Sequence, residues 1–265
     1  MDKKLIWPVL MSGAVASAAL LARDPHPKRG SLSWYARAPL MLYRDLRNTR
    51  LSRRCSYAQL GEDLISRNLL AGIGIPRPTY LDVGANDPVT LSNTYAMYKD
   101  GCRGVLLEPN PLLFPRLRRV RRHDVCLQAG LSDHSDPAAR FYRMSEPVLG
   151  TFSREEAASF EQQGYQIVEE IAAPLLTPTE VIENHLGGRC PDFVSLDTEG
   201  LDLAILAAWP FDTHRPAVFC IETLICTNGD QVQWRKQAIV QLMEKLGYRL
   251  HADTYINSIF VSKER

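Results

Sequence analysis

The chain lacks the features that mark fibrous, stapled or disordered proteins. Its 16 glycines and 17 prolines in 265 residues follow no period, which excludes collagen-like and low-complexity chains. Six cysteines are too few for a disulfide scaffold at this length. Thirty-one lysines and arginines against 30 acids leave a net charge of +1, so the whole molecule is no obvious nucleic-acid binder. There is no internal repeat. What is there has the balance of a globular chain, 45% apolar and 23% charged, which excludes wholesale disorder. The length fits one α/β domain of generous size, or one domain plus a short appendage.

The small net charge hides an asymmetry. Residues 1–22 carry only Asp2, Lys3 and Lys4, and residues 23–54 carry nine lysines and arginines against Asp24 and Asp45. Those two segments hold +1 and +7, which leaves −7 on residues 55–265. The chain thus divides into a hydrophobic N-terminal segment (1–22), a basic connector (23–54) and an acidic body (55–265). Leu5 to Ala22 is eighteen residues without a charge, near the lower limit for a membrane-spanning helix. A cleaved signal peptide is the rival, with Lys3 and Lys4 as its basic start and Ala14-Val15-Ala16 or Ala16-Ser17-Ala18 as the cleavage site. Apolar residues run past both sites to Leu21, and the flanking charge is heavier on the C-terminal side. Both facts favour an anchor with the body in the cytoplasm; the alternative is a soluble cytoplasmic protein.

From residue 55 the chain alternates short apolar runs with helical patterns, the signature of a mostly parallel sheet covered by helices. Helical spacing predicts a first helix over Tyr57–Leu70, with Leu60, Leu64, Ile65 and Leu69 inward. Strands are expected at 80–83, 105–107, 125–129, 193–196 and 218–221, with helices between them, one running from Gly84-Ala85-Asn86 to about Lys99. Residues 140–176 break the rhythm, with a short strand expected at Arg140–Arg143. Ser153-Arg154-Glu155-Glu156 and Thr177-Pro178-Thr179-Glu180 read as capping boxes. A helix over about 231–246 and an antiparallel pair of strands at the sheet edge close the chain.

The informative unit is strand, Asp82-Val83-Gly84-Ala85-Asn86, helix, strand, Glu108. A glycine directly after the first strand lets the backbone turn sharply and a ligand come close. An acid ending the second strand can accept both hydroxyls of a ribose, and Glu108 follows Gly84 by 24 residues, close to the expected interval of about 20. The dinucleotide fingerprint G-x-G-x-x-G is absent, and a pyrophosphate needs that run of close amides at a helix N-terminus. A ligand with a ribose and no phosphate does not. S-adenosylmethionine is such a ligand, and Asp82 would sit near its positive end.

An ordered set of motifs resembles the FkbM-type S-adenosylmethionine-dependent methyltransferases. Its members are Ser56–Asp63 (SYAQLGED), Leu81–Pro88 (LDVGANDP), Ser92–Tyr95 (SNTY), Glu108–Pro111 (EPNP), Leu131–Asp133 (LSD) and Ser195–Gly200 (SLDTEG), then Arg215–Val218 (RPAV) and the tail from Gly247-Tyr248 to Asn257–Val261. They span roughly 55–262, so the body as a whole is identified as a methyltransferase domain. The resemblance implies a Rossmann-like seven-stranded, mostly parallel sheet of the class I methyltransferase type, with helices on both faces. It also implies methyl transfer, usually to oxygen, on varied small molecules and sugars, without naming the acceptor. Carried over, Asp82, Gly84, Ala85 and Asn86 form the methionine side of the cofactor pocket, and Glu108, beside Pro109, holds the ribose. Gln128 and Ala129, with Ser132 and Asp133 close by, stand where such folds contact adenine. Asn93, placed in the helix after the glycine turn, can reach the pocket. Asp197 and Glu199 end the fourth strand, at the edge where open α/β sheets bind ligands, with Asp197 near the methyl group or the acceptor.

A hydroxyl acceptor must lose its proton, and a carboxylate or His within reach would take it. Asp197 is the first candidate and Glu199 the second; His134 and His251 are outside ones. Asp197, Glu199 and Glu222 could gather at adjacent strand ends and suit Mg²⁺, although no spacing compels a metal. Cys220 and Cys226 form C-x5-C with no paired His, which is no zinc knuckle, and the six cysteines read as buried thiols of a reducing compartment. The run Arg116, Arg118, Arg119, Arg121, Arg122 looks like the solvated face of an amphipathic helix. Contact with anionic lipid or a phosphorylated acceptor is the sharper alternative, and nucleic acid is not expected as a partner. The function expected is a membrane-tethered methyltransferase acting on a hydroxyl of a small molecule, sugar or lipid-linked acceptor. The alternatives are a catalytically silent scaffold that keeps the fold, or a nicotinamide-dependent oxidoreductase.

Overall fold

Short apolar runs become strands buried on both faces, because helices cover the sheet from either side. The computed structural model describes residues 55–223 and 230–265, with residues 230–236 traced in backbone only. The hydrophobic segment 1–22, the basic connector 23–54 and Cys226 lie outside the described residues. Among the described residues no helix is long and apolar enough to cross a membrane.

Ten strands form two sheets. The larger has the order β3 (Val125–Leu127), β2 (Gly104–Leu107), β1 (Tyr80–Val83), β7 (Phe193–Leu196), β8 (Val218–Glu222), β10 (Asn257–Ser262), β9 (Tyr248–Asp253). Its first five strands are parallel, while β10 runs antiparallel to both β8 and β9. This is the seven-stranded, mostly parallel sheet that the resemblance implies. Period-two alternation sorts the core into two clusters. Leu81, Val83, Val105, Leu107, Val194, Leu196, Phe219 and Ile221 point to one face. There they meet α5 (Pro178–His185), α6 (Asp202–Ala208) and α7 (Asp230–Lys245) through Val181, Ile182, Ile205, Leu206, Ile239 and Met243. Tyr80, Leu106, Phe193, Val218 and Cys220 point to the other. They meet α1 (Glu62–Gly72), α2 (Tyr95–Lys99) and α3 (Phe114–Val120) through Leu69, Leu70, Met97 and Leu117.

Three local expectations are corrected. The first helix starts at Glu62, not Tyr57, because Gly61 takes a left-handed conformation (φ 93°) and Leu60 faces solvent. The helix after the glycine turn is only the single turn α2, so residues 84–94 are loop and Asn93 precedes the helix. Residues 140–176 hold more order than a single short strand. β5 (Asp136–Met144) pairs antiparallel with β6 (Ile167–Leu176), which pairs with β4 (Gly130–Leu131) to make a second sheet. Between β5 and β6 lie a 3-10 turn at Pro147–Leu149 and α4 (Arg154–Gln162). Ser153 caps α4 by accepting from the Glu156 amide, and Thr177 with Glu180 closes a complete capping box on α5.

Candidate active site

The site grows from the carboxyl ends of β1, β2 and β7. Gly84 turns the chain at φ 77°, and a β-carbon there would overlap the Asp197 carbonyl oxygen. The amides of Gly84 and Ala85 both donate to the Leu107 carbonyl at 3.1 and 3.0 Å, which pins the turn against β2. Asn86 continues it at φ 46°, a left-handed conformation that Asn tolerates. Its amide donates to Glu108 Oε2 at 2.8 Å, and the Asn110 amide donates to Glu108 Oε1 at 2.7 Å. Each carboxylate oxygen therefore has one backbone donor and a lone pair to spare. Burial raises the Glu108 carboxyl to about 7 despite those two amides, and Asp197 and Asp82 push in the same direction.

Two cavities meet at this turn. Both are lined by Gly84, Asn86, Val148, Asp197 and Glu199. The first, about 550 Å³, adds Glu108, Pro109, Leu113, Gly130, Leu131, Phe141 and Phe152. The Phe141 and Phe152 rings stand 4.9 Å apart, and β-carbons on Gly130 or Gly150 would collide with them. This apolar wall comes from the second sheet and was missed from sequence; its phenylalanines carry no signal to separate them from core residues. The second cavity, about 1010 Å³, adds Gln59, Asp82, Ala85, Asn93, Phe160, Ser195, Glu222 and Asn257. Both volumes fall near the range of small-molecule sites.

Asp197, Glu199 and Glu222 come together, with one oxygen of each within 4.8 Å of the others, as their strand-end positions suggested. Glu199 sits at φ 48°, and its carbonyl accepts from Thr151 Oγ1 at 2.8 Å, which ties the loop after β7 to the second sheet. Burial, with Asp197, Glu199 and Asp202 nearby, holds the Glu222 carboxyl well above the usual carboxylate range. Glu222 therefore carries a proton that it shares with Asp197.

The other expected residues separate. Asn93 donates to Ser195 Oγ at 3.1 Å and lines the second cavity. Gln128, Ala129, Ser132 and Asp133 do not line either cavity; the adjacent Gly130 and Leu131 do. Ser132 instead donates to Asp133, which pairs with exposed His134 at 2.7 Å. His251 is exposed on β9. The arginine run is not uniform: α3 stops at Val120, and Arg121 turns inward and is fully buried.

Residues 82–250 match the family model described as the methyltransferase FkbM domain. No curated protein matches the chain. Solved structures resemble it at low identity. One is a magnesium protoporphyrin IX methyltransferase from Synechocystis PCC 6803 with bound S-adenosylmethionine (8% identity, 89% of this chain and 86% of that one, TM-score 0.41). A TehB-like S-adenosylmethionine-dependent methyltransferase from Corynebacterium glutamicum is another (11%, 84% and 97%, 0.39). A third is a precorrin-6y C5,15-methyltransferase from Geobacter metallireducens (14%, 70% and 80%, 0.38).

Proposed function

This chain belongs to the FkbM family of S-adenosylmethionine-dependent methyltransferases, and we propose that it methylates a hydroxyl oxygen on a small-molecule, sugar or lipid-linked acceptor. The observation that carries this reading is the junction of two cavities at Gly84 and Asn86, with Asp197 and Glu199 on both walls. The residues present suit the cofactor. Glu108 keeps a lone pair on each oxygen for the two ribose hydroxyls, and the aromatic-walled cavity suits adenine. Asp82 faces the cavity on the other side, where a methionine amino group would lie. The chain from Gly84 to Thr94 is loop, so no helix N-terminus meets the first turn to hold a pyrophosphate. That supports S-adenosylmethionine over a dinucleotide.

The cofactor supplies an electrophilic methyl group. The protein aligns the acceptor oxygen with it, and much of the acceleration can come from that positioning. Asp197 receives the hydroxyl proton as the oxygen attacks, and Glu222, protonated beside it, limits the charge that builds up. A divalent cation among the three carboxylates is the alternative way to hold that charge. Residues 5–22 would tether the enzyme to a membrane, which extraction of the full-length chain from membranes by carbonate tests.

The direct experiment is calorimetric titration of the full-length chain with S-adenosylmethionine beside Glu108→Ala. Micromolar binding that weakens by roughly 1–3 kcal/mol in the variant is expected for losing charge-assisted hydrogen bonds. Absence of binding to the wild type would sink the enzyme reading and leave a silent scaffold. Transfer of labelled methyl to a panel of hydroxylated acceptors should then fall about 10²-fold or more in Asp197→Ala, the scale of a lost general base, with cofactor binding kept.

A further inference from the structure

A buried cation stands behind Asp82, and none of the motifs that define the site includes it. Arg121 follows α3, and its side chain is fully buried. Its Nε donates to Asp124 Oδ2 at 2.9 Å and its Nη2 to the Tyr80 hydroxyl at 3.1 Å. The rings of Tyr98 and Tyr80 lie 4.8 and 5.6 Å from the guanidinium. Asp124 does more than neutralise it, since its carboxylate also accepts from the Gly104 amide and the Tyr80 hydroxyl. The guanidinium retains a donor for one further group. Nη2 reaches Thr94 Oγ1 at 2.9 Å, and that hydroxyl hydrogen-bonds Asp82 Oδ2.

Donor chemistry fixes the direction of this chain. A guanidinium only donates, so Thr94 must accept from it and spend its single hydrogen on Asp82. Thr94 is fully buried and Asp82 nearly so, which excludes water as a substitute partner. A second path converges on the same carboxylate, from the Asn93 amide to Ser195 Oγ at 3.1 Å and from Ser195 to Asp82. Tyr80 and Asp82 sit two residues apart on β1 and point to the same face, so Arg121 reaches both.

We infer that Arg121 is a positioning residue, which acts through Thr94 to hold Asp82 as an ionised acceptor aimed at the cationic amino-acid end of the cofactor. The inference rests on the proposed cofactor reading for what Asp82 binds, but not for what Arg121 does to Asp82. Burial alone drives Asp82 toward its neutral form, and Arg121, followed by Thr94 and Ser195, opposes it. The other titratable groups that bear on Asp82 are Asp124, Glu108 and the Cys220 thiol, with Asp197, Glu199 and Glu222 across the same cavity. All push toward protonation, and Arg121 is the one cation named against them.

The test is the pH midpoint of the Asp82 carboxyl, read by carbon NMR of aspartate-labelled full-length protein without ligand, in wild type, Arg121→Met and Thr94→Val. Thr94→Val keeps shape and charge and removes only the link. The inference expects both variants to raise the midpoint by about one unit or more, and each unit is tenfold in the protonation equilibrium. Calorimetry with S-adenosylmethionine should then show a variant-to-wild-type affinity ratio that falls about tenfold per pH unit below the new midpoint. Glu108 titrates in all three proteins and cancels in that ratio. A lower melting temperature with an unmoved Asp82 midpoint would make Arg121 a purely structural ion and overturn the inference. A midpoint that moves in Arg121→Met alone would overturn the route through Thr94. If Arg121→Met does not fold, Thr94→Val decides by the same two readings. Failure of the wild type to bind S-adenosylmethionine would remove the proposed function, and the ligand-free midpoint would still decide the role of Arg121.

Discussion

Gly84 shows how little freedom the site leaves a single residue. Its left-handed φ of 77° is strained for any side chain, and the place of a β-carbon is already taken by the Asp197 carbonyl. Unlike a clash with a flexible side chain, this one cannot be relieved without parting β1 from β7. Gly84→Ala is therefore expected to cost about 2–4 kcal/mol, the strain of the turn plus the shift of two strands. It should also widen the junction where both cavities meet. Thermal unfolding and a cofactor titration check both parts, and an alanine variant with wild-type affinity would show that the turn does not set the pocket. Glu108 is constrained differently. Its two backbone partners hold it whether or not a ligand is present, so its orientation is a property of the fold.

At the scale of elements, the capping box on α5 gives a clean prediction. Thr177 accepts from the Glu180 amide at 3.2 Å, and Glu180 accepts from the Thr177 amide at 2.7 Å. Thr177→Ala is expected to cost about 1 kcal/mol, with cofactor affinity unchanged because α5 packs on the face of the sheet below the site. Denaturant unfolding measures it. That box was legible from four letters, as were β1, β2, β7 and β8, because runs buried on both faces admit few readings. The residues of the site at the ends of those strands were legible for the same reason: Asp82, Gly84, Asn86, Glu108, Asp197 and Glu199 mark where strands stop. The second sheet was not. β6 reads Ile-Val-Glu-Glu-Ile-Ala-Ala-Pro-Leu-Leu, with Glu169 and Glu170 exposed and Pro174 inside it. It is a strand only because β5 and β4 pair with it from far along the chain. Phe141, Val148 and Phe152 reach the pocket through that pairing, so local pattern could not place them. Arg121 was hidden by company: four neighbouring arginines made it look like a solvated face, and only the end of α3 at Val120 turns it inward.

For the molecule as a whole, the buried acids govern how stability responds to pH. Asp82, Glu108 and Glu222 all have carboxyls raised by burial. Glu108 titrates near 4.5 in the unfolded chain and near 7 in the folded one. Between those values the folded state holds a proton that the unfolded state has lost, so stability falls as pH rises. The contribution is fully present below about 4.5 and gone above about 7, on the order of 3 kcal/mol from Glu108 alone. Asp82 and Glu222 add to it with the same sign. The ligand-free protein should accordingly melt at higher temperature at pH 5.5 than at pH 8, and Glu108→Gln should flatten that difference. A ligand whose ribose donates to Glu108 binds the ionised form, so linkage requires the opposite slope for its stabilising effect. The rise in melting temperature at saturating S-adenosylmethionine should be larger at pH 8 than at pH 6 in the wild type, and nearly equal at the two values in Glu108→Gln. A rise that shrinks toward pH 8 would mean that Glu108 meets the ligand protonated, as a donor, and the ribose assignment would have to be reversed.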